Sequence, residues 1–579
     1  MKVIKGCLIA ATISMTVSTA HGEYTMKISK GKFPEGVKIE NINGCQPEAY
    51  AYKKVSLDQA WAAGDYGKRM NVAFAPSFMK EGEICGAALT LPSMMIEDGE
   101  WLSWDGCAVY PLFNETYSVE IMEAGSGTWT ILGEYIETGN EWKKQMLDLS
   151  SFSGKDIELR FVCRSNRGYM LALSNVAVMK PATVSFACVN RTPKFFAASD
   201  MEDGTVTAEF ALTNTGIAIT GATVGLADGN DVLATSQEKD EWKTGETRLF
   251  QLPLPLSLNI RRDYAITVEG TDTECQKVLE SFAYCTSFKR HLLVDKGTGM
   301  WCNSCPQGTL SMQELDKEYG DAVIGIETHN GDLLANDIDF TWLGFYSIPR
   351  MVLNRIKKSA GDGTNQFTDY ICEPVEMELS INDLSNNEDN TLTAKATVKT
   401  SEYFTSNNRK YRIGYVLTRN FSGEENEQFY QKNICNLASY KQYCYLPSLI
   451  PYNLCYFPDV SLASPLANKT ENVAFTGIEG SLPETMECNN SYDCTWDIPL
   501  PEGYTDFSGM RLVAYILDAG NYNVINSTVK ETEDTSEVKF TESEPAVSGN
   551  DDIYSIDGRR ITGTPESGIY IVGGKKIFF

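Results

Sequence analysis

Most of the chain alternates apolar and polar residues with a period of two, the pattern of β-strands that bury one face. Tyr117, Val119 and Ile121 alternate with polar neighbours. Similar alternation recurs over residues 206–212, 264–268, 377–381 and 411–417. Short strands separated by turn residues predict a multidomain, mainly β protein built from jelly-roll and immunoglobulin-like sandwiches.

Residues 287–372 break this pattern. A short apolar strand at 292–294 precedes apolar residues at helical spacing over 307–319. A second buried strand follows at 323–326, and Leu334, Ile338 and Trp342 then fall on one helical face. Strand, helix, strand and helix in this order predict parallel strands joined by crossovers, and therefore one small α/β domain.

The changes of pattern, with the turn-rich stretches between them, divide the chain into domains. We predict a signal peptide at 1–22, a jelly roll at 23–182, an immunoglobulin-like sandwich at 183–286, the α/β domain at 287–372, a second β-sandwich at 373–540, a linker at 541–551 and a C-terminal β segment at 552–579.

The N-terminus has the features of an export signal. Lys2 and Lys5 precede an apolar run over 7–17, and the small residues Ser18 and Ala20 offer a cleavage site. The run is too short to span a bilayer, and no other stretch is long and apolar enough to do so. We therefore predict an exported protein without a transmembrane helix, either secreted or associated with the cell surface or outer membrane, the alternative being the periplasm.

The formal charge of −27 disfavours binding to nucleic acids or anionic lipids. Sixteen cysteines fit an oxidising compartment. The chain has three histidines, which disfavours Ser-His-Asp catalysis and multi-histidine metal sites. No cofactor is predicted. Carboxylate pairs cannot be picked out among 77 acidic residues, so glycosidase chemistry stays open.

One motif carries specific chemistry. Cys302 and Cys305 form a Cys-x-x-Cys motif that follows the first α/β strand and opens a helix. The backbone N–H groups and the dipole at a helix N-terminus stabilise a thiolate, so Cys302 is the candidate nucleophile and Cys305 the candidate resolving thiol. A purely structural disulfide is the open alternative. A zinc site would need a second ligand pair, and none is evident, so no metal is predicted.

The α/β segment resembles the thioredoxins. Ile348 and Pro349 precede a predicted strand at 351–353, and thioredoxin-like folds place a cis proline there, facing the cysteine pair. Asp295 ends the first strand, one residue further from Cys302 than the buried carboxylate of thioredoxins. The resemblance implies that Pro349 shapes a substrate groove and that Asp295 accepts a proton from the second cysteine.

Residues 294–308 and 328–332 (Thr-His-Asn-Gly-Asp) resemble the 28-kDa outer-membrane-protein-related family of Bacteroidetes. That family pairs a thioredoxin-like domain with a following β-sandwich, as predicted here for 373–540. His329, in this run, follows the second strand. It is predicted either to lie near the thiols or to be an ordinary loop histidine.

Two further resemblances concern the ends of the chain. Residues 127–130, Trp142, 147–155 and 159–161 resemble the choice-of-anchor J or cleaved-adhesin jelly rolls, which implies a binding or spacing module. That family usually ends in Asp-Asn-Val, whereas this chain has Ser-Asn-Val at 174–176. Residues 553–576 resemble the terminal half of type IX secretion sorting domains, which implies delivery to the surface.

Two functions follow. The first is an exported thioredoxin-like protein whose Cys-x-x-Cys pair exchanges with protein thiols or disulfides. The alternative is a noncatalytic surface adhesin that binds glycans or proteins, with the thioredoxin-like unit as a scaffold. An exposed Cys302 sulfur beside a cis Pro349 would favour chemistry, whereas burial of both sulfurs under a neighbouring sandwich would favour the scaffold.

Overall fold

The computed structural model describes residues 23–270, 274–360 and 372–532, together with three short C-terminal strands. Strands dominate the regular structure and form several sheets around one small α/β unit, which confirms the predicted mainly β fold class. The predicted signal peptide and linker lie outside the described residues. The predicted domain bounds stay predictions.

The N-terminal jelly roll has two antiparallel sheets, each of six strands. One has the order β10-β7-β12-β4-β3 with β1 beside β12, and the other β2-β5-β11-β8-β9 with β6 beside β11. Trp104 and Phe161 pack edge to face in the core between them. The strands are β1 (Tyr24–Thr25), β2 (Lys38–Asn41), β3 (Ala62–Tyr66), β4 (Arg69–Pro76), β5 (Ala87–Thr90), β6 (Met94–Met95), β7 (Trp101–Ala108), β8 (Asn114–Glu123), β9 (Thr130–Thr138), β10 (Lys143–Asp148), β11 (Asp156–Cys163) and β12 (Met170–Met179).

A second sandwich follows, with sheets β13-β15-β18 and β14-β20-β19-β16-β17. Its core contains Phe210, Trp242 and Phe250. The strands are β13 (Phe186–Asn190), β14 (Phe195–Ala197), β15 (Thr205–Asn214), β16 (Ala222–Asp228), β17 (Asp231–Glu238), β18 (Thr247–Pro255), β19 (Arg261–Glu269) and β20 (Gln276–Thr286).

The α/β unit contains β21 (Leu292–Thr298), α1 (Cys305–Tyr319), β22 (Val323–His329), α2 (Asp337–Leu343), β23 (Arg350–Leu353) and β24 (Lys357–Ala360). Strands β21 and β22 are parallel, as predicted, whereas β23 is antiparallel to β21. Leu292 and Val294 pack toward α1, where they meet Met312 and Leu315.

The remaining elements form the C-terminal sandwich. They are β25 (Met377–Asn386), β26 (Thr391–Thr400), β27 (Tyr411–Ser422), β28 (Tyr430–Lys432), β29 (Leu449–Pro451), β30 (Tyr456–Ser461), α3 (Val473–Thr476), β31 (Ser491–Pro499), β32 (Met510–Asp518) and β33 (Val524–Glu531). Strands β25, β26 and β31 form one sheet. Beyond this sandwich, β34 (Ile553–Ser555), β35 (Ile569–Val572) and β36 (Lys575–Phe578) form a small antiparallel sheet.

The α/β unit and the C-terminal sandwich share one sheet. Its eight strands run in the order β24-β23-β21-β22-β30-β27-β32-β33, and β22 pairs in parallel with β30 at Glu327 and Val460. An exposed edge of β22 would offer unpaired N–H and C=O groups to other chains. The sandwich covers this edge, so the sheet continues across the predicted boundary at 372/373.

A long connection between β27 and β30, called the insertion (residues 423–455), contains β28 and β29. It lies against both the jelly roll and the α/β unit. Tyr110 Oη of the jelly roll donates to Leu454 O at 2.7 Å, and Gln431 Nε2 donates to Cys302 O at 2.9 Å. The insertion therefore joins three parts of the chain around the Cys302–Cys305 motif.

Candidate functional site

Cys302 and Cys305 are joined by a disulfide at the start of α1, with their Cα atoms 5.4 Å apart. Cys305 is the first residue of the helix, and Pro306 follows where a missing N–H does no harm. Cys302 lies in the preceding turn, in which its N–H bonds to Gly299 O at 3.0 Å. Cys302 is 5% exposed and Cys305 1%, so both are buried.

Pro349 lies beside this disulfide. The Ile348–Pro349 bond is cis, and Cys302 Sγ is 3.7 Å from Ile348 O. Helix α1 approaches the proline closely at Gly308, where an added Cβ would lie 2.9 Å from Pro349 Cβ and 3.3 Å from Lys296 Cε. The structure thus brings together Cys302, Cys305 and Pro349, three of the four predicted site residues.

Gly308→Ala is expected to destabilise α1 by about 1–3 kcal/mol, because the new methyl group overlaps the rigid proline ring. At an unobstructed helical position the same change would stabilise by up to about 1 kcal/mol. Hydrogen exchange of the α1 amides measures the effect. Lys317→Ala, at an exposed position of the same helix, is the control and should change exchange little. A slower exchange in Gly308→Ala would contradict the close packing.

The predicted role of Asp295 does not agree with its position, because its side chain and the disulfide lie on opposite faces of the sheet. Its carboxylate pairs with Arg355 at 3.2 Å, and Arg355 donates to Tyr515 Oη of β32 at 3.0 Å. Although burial alone would lower the pKa of Arg355, Asp295 and Tyr515 hold it above its ordinary value. The side chain is directed to the face of the sheet opposite α1, so the predicted role as proton acceptor for Cys305 does not fit its position.

The side chain of the next residue, Lys296, lies on the face of the sheet that packs against α1. Its ammonium is fully buried and contacts Glu327 Oε1 at 2.5 Å and Thr309 Oγ1 of α1 at 2.9 Å. Burial, together with the nearby Glu327 carboxylate, raises the pKa of Asp316 on the same helix to about 6. The α1 side of the sheet therefore carries a buried Lys296–Glu327 pair, whereas Asp295 pairs with Arg355.

The insertion covers the motif from outside. Residues 430–434, called the strap, bond to the turn that holds Cys302. Lys432 N donates to Met300 O at 2.8 Å and Ile434 N to Asn303 O at 3.0 Å. Gln431 Nε2 also donates to Cys302 O, so three carbonyl oxygens of the turn accept hydrogen bonds from the strap. The strap is a fixed part of the fold, since Asn433 is itself buried and donates to Tyr443 O at 2.9 Å.

His329 is buried at the end of β22. Its Nδ1 lies 2.9 Å from Asp332 Oδ2, and the same oxygen accepts the N–H of Met300 at 2.7 Å. Although burial alone would raise the pKa of Asp332, the hydrogen bonds from His329 and from the backbone hold it below its usual range. His329 thus helps to anchor the motif turn through Asp332 and is not an ordinary loop histidine.

Within the described residues, no three His, Cys, Asp or Glu side chains are grouped so as to hold a metal ion. A search of the same part of the chain for a helix of sufficient length and hydropathy to cross a membrane finds none.

Sequence reasoning missed Lys296, Glu327, Asp332 and the strap. Lys296 and Asp332 lie within the two runs that resemble the 28-kDa family, so a local signal for these two residues was present. The strap had no such signal, because Gln431 and Cys302 are 129 residues apart in the chain.

No family model matches this chain, and no curated protein matches it either. Among solved structures, HBP35 of Porphyromonas gingivalis is similar at 16% identity and a TM-score of 0.27, over 51% of this chain and 98% of that one. A cleaved adhesin domain of Lys-gingipain from the same organism is similar at 18% identity and a TM-score of 0.23, over 28% of this chain and 99% of that domain.

A family 11 carbohydrate-binding module from Clostridium thermocellum is similar at 15% identity and a TM-score of 0.19, over 28% of this chain and 98% of the module. With TM-scores and identities this low, none of these similarities defines the function of this chain.

Proposed function

We propose that this chain is an exported, noncatalytic binding protein in which the α/β unit is a scaffold and the Cys302–Cys305 disulfide is a structural bond. The burial of both cysteines beneath the strap carries this proposal. Thiol–disulfide exchange needs an attacking sulfur to reach the disulfide through a mixed-disulfide intermediate. Because both cysteines are buried and the strap bonds to the turn around Cys302, we expect the disulfide to be inaccessible to a macromolecular partner.

A second candidate function is thiol–disulfide exchange, favoured by the position of the disulfide beside the Ile348–Pro349 segment, where Cys302 Sγ is 3.7 Å from Ile348 O. After reduction of the pair, the Cys302 thiolate would attack a substrate disulfide, forming a mixed disulfide and releasing one substrate thiolate. Cys305 would then attack Cys302 Sγ, releasing the second substrate thiol and restoring the Cys302–Cys305 bond. This cycle requires the strap to move away from the turn.

Redox titration of the whole chain separates the two functions. The protein is equilibrated in dithiothreitol buffers of graded potential, and free thiols are trapped with iodoacetamide and located by mass spectrometry. We expect the Cys302–Cys305 bond to persist down to about −300 mV. Reduction at a higher potential, together with insulin reduction that Cys302→Ser abolishes, would replace the proposed function by the second one.

A strap variant tests why the pair is protected. Lys432→Pro removes the N–H that bonds to Met300 O, whereas Lys432→Ala keeps it. We expect Lys432→Pro to be trapped about tenfold faster than the wild type after reduction, the effect of losing roughly one hydrogen bond. Lys432→Ala should behave as the wild type. Equal trapping of the two variants would mean that the strap does not shield the sulfurs.

A further inference from the structure

A cleft of about 860 Å³ lies between one side of the jelly roll and the insertion. Strands β2 and β3, each the outermost strand of its sheet, contribute one wall, together with the turn around Phe33. The opposite wall comes from the insertion and includes Lys441 and Tyr445. The volume is within the range of small-molecule and cofactor sites, about 300–1,000 Å³.

Hydrogen bonds between the two walls hold the cleft in shape. Lys53 N donates to Tyr445 O at 2.6 Å, and Lys54 Nζ donates to Asn436 O at 2.6 Å. The Tyr445 hydroxyl donates to Asp65 O. The cleft is therefore preformed, and it exists only where the jelly roll and the insertion meet.

The lining combines an aromatic floor with a polar rim. Trp61 and Phe74 are buried in the floor, Phe33 is half-buried, and Asp58 and Gln59 are exposed at the rim. Trp61 and Phe74, at 0% and 1% exposure, belong to the cores beneath this floor, so Phe33 is the accessible aromatic side chain of the cleft.

The charges around the cleft nearly cancel. Lys32, Lys54 and Lys441 lie against Asp58 and Asp65 in a chain whose overall charge is −27. The Lys54 ammonium is already bonded to Asn436 O. The cleft thus lacks the concentration of cations that would select a phosphate or sulfate, and the concentration of carboxylates that would select a cation.

We propose that this cleft binds a neutral oligosaccharide of a few sugar rings. A sugar ring has apolar C–H faces that pack on aromatic side chains and hydroxyl edges that bond to carboxylate and amide groups. The half-buried Phe33 supplies the first kind of contact, and the exposed Asp58 and Gln59 supply the second. The inference rests on the proposed function, because it names the ligand class and the site of a binding protein.

The test uses the full chain without its signal peptide. An array of neutral hexose and N-acetylhexosamine oligosaccharides identifies the best-bound sugar, and calorimetry then measures its Kd. Asp58→Ala, an exposed change that leaves the core intact, is expected to weaken binding about tenfold, and Phe33→Ala at least as much. The control is Ile131→Ala, which removes an exposed apolar side chain from β9. Strands β2 and β9 are the two edges of one sheet, so this change is far from the cleft and should leave Kd unchanged.

The outcomes separate this inference from the proposed function. Sugar binding that survives both Asp58→Ala and Phe33→Ala would overturn the cleft as the site while leaving a binding protein. Binding of only sulfated or phosphorylated sugars, or of peptides, would overturn the neutral-sugar ligand. A chain that binds none of these probes but reduces insulin would overturn the proposed function as well.

Discussion

Asp295→Asn is expected to lower the local stability of the α/β unit by about 3–5 kcal/mol, the cost of leaving one member of a buried ion pair without its partner. The neutral amide would keep the shape of the side chain but remove the charge opposite Arg355. Both side chains are almost fully buried, at 2% and 7% exposure. The guanidinium would then be left with the Tyr515 hydroxyl and the Ala474 carbonyl as its partners.

Hydrogen exchange of the β21 and β32 amides measures this loss, because Asp295 and Tyr515 lie on these two strands. A double variant, Asp295→Leu with Arg355→Met, removes both charges and should recover most of the stability. Glu484→Ala is a matched control, since Glu484 pairs with Lys410 at the surface and such pairs contribute at most about 1 kcal/mol. Unchanged exchange in Asp295→Asn would show that the pair does not hold the two parts together.

The error about Asp295 shows what one residue of spacing means in a strand. Side chains alternate between the faces of a sheet, so a shift of one position moves a side chain to the opposite face. Asp295 is one residue further from Cys302 than the thioredoxin carboxylate. Taken together with this alternation, the spacing therefore already indicated Lys296 as the residue that faces α1. The prediction fell on Asp295 because it is a carboxylate, as in the thioredoxins.

The features set by short stretches of sequence were predictable. The apolar spacing over 307–319 predicts a helix, and α1 spans Cys305–Tyr319. Pro349 was singled out from its place before a strand, and its peptide bond is cis. Each of these depends on neighbouring residues, whose preferences for helix, strand or turn act locally.

The features set by distant contacts were not predictable. The pairing of β22 with β30 and the bonds between the strap and the Cys302 turn join segments more than a hundred residues apart. Periodicity shows that a strand is buried but not which segment covers it. The burial of the disulfide, on which the choice between chemistry and scaffold depends, was therefore visible only in the folded chain.

The jelly roll is expected to become more stable as the pH falls from about 8 to 5. Burial raises the pKa of Glu115 to about 7, although hydrogen bonds from Ser165, Ser77 and Tyr169 oppose this. In the unfolded chain the same carboxyl has a pKa near 4.5. The folded state therefore binds more protons between these two values, and stability is lost as the pH rises through 7. The contribution of Glu115 is about 3 kcal/mol.

Glu115→Gln isolates this contribution. The amide is neutral at every pH, its oxygen can accept the Tyr169 N–H, and its NH₂ group can donate to the Ser77 and Ser165 hydroxyls. We expect the variant to be more stable than the wild type at pH 8 and similar to it at pH 5. Hydrogen exchange of the β8 amides, corrected for the intrinsic exchange rate at each pH, measures the difference.

Part of the pH dependence should persist in Glu115→Gln, because burial also raises the pKa of Glu137, directly opposite on β9, to about 7. Glu123→Gln, at the exposed end of β8, is the control and should leave the wild-type profile unchanged. If Glu115→Gln kept the full pH dependence, Glu115 would already be ionised in the fold at neutral pH. The three hydrogen bonds to its carboxylate would then outweigh the cost of burial.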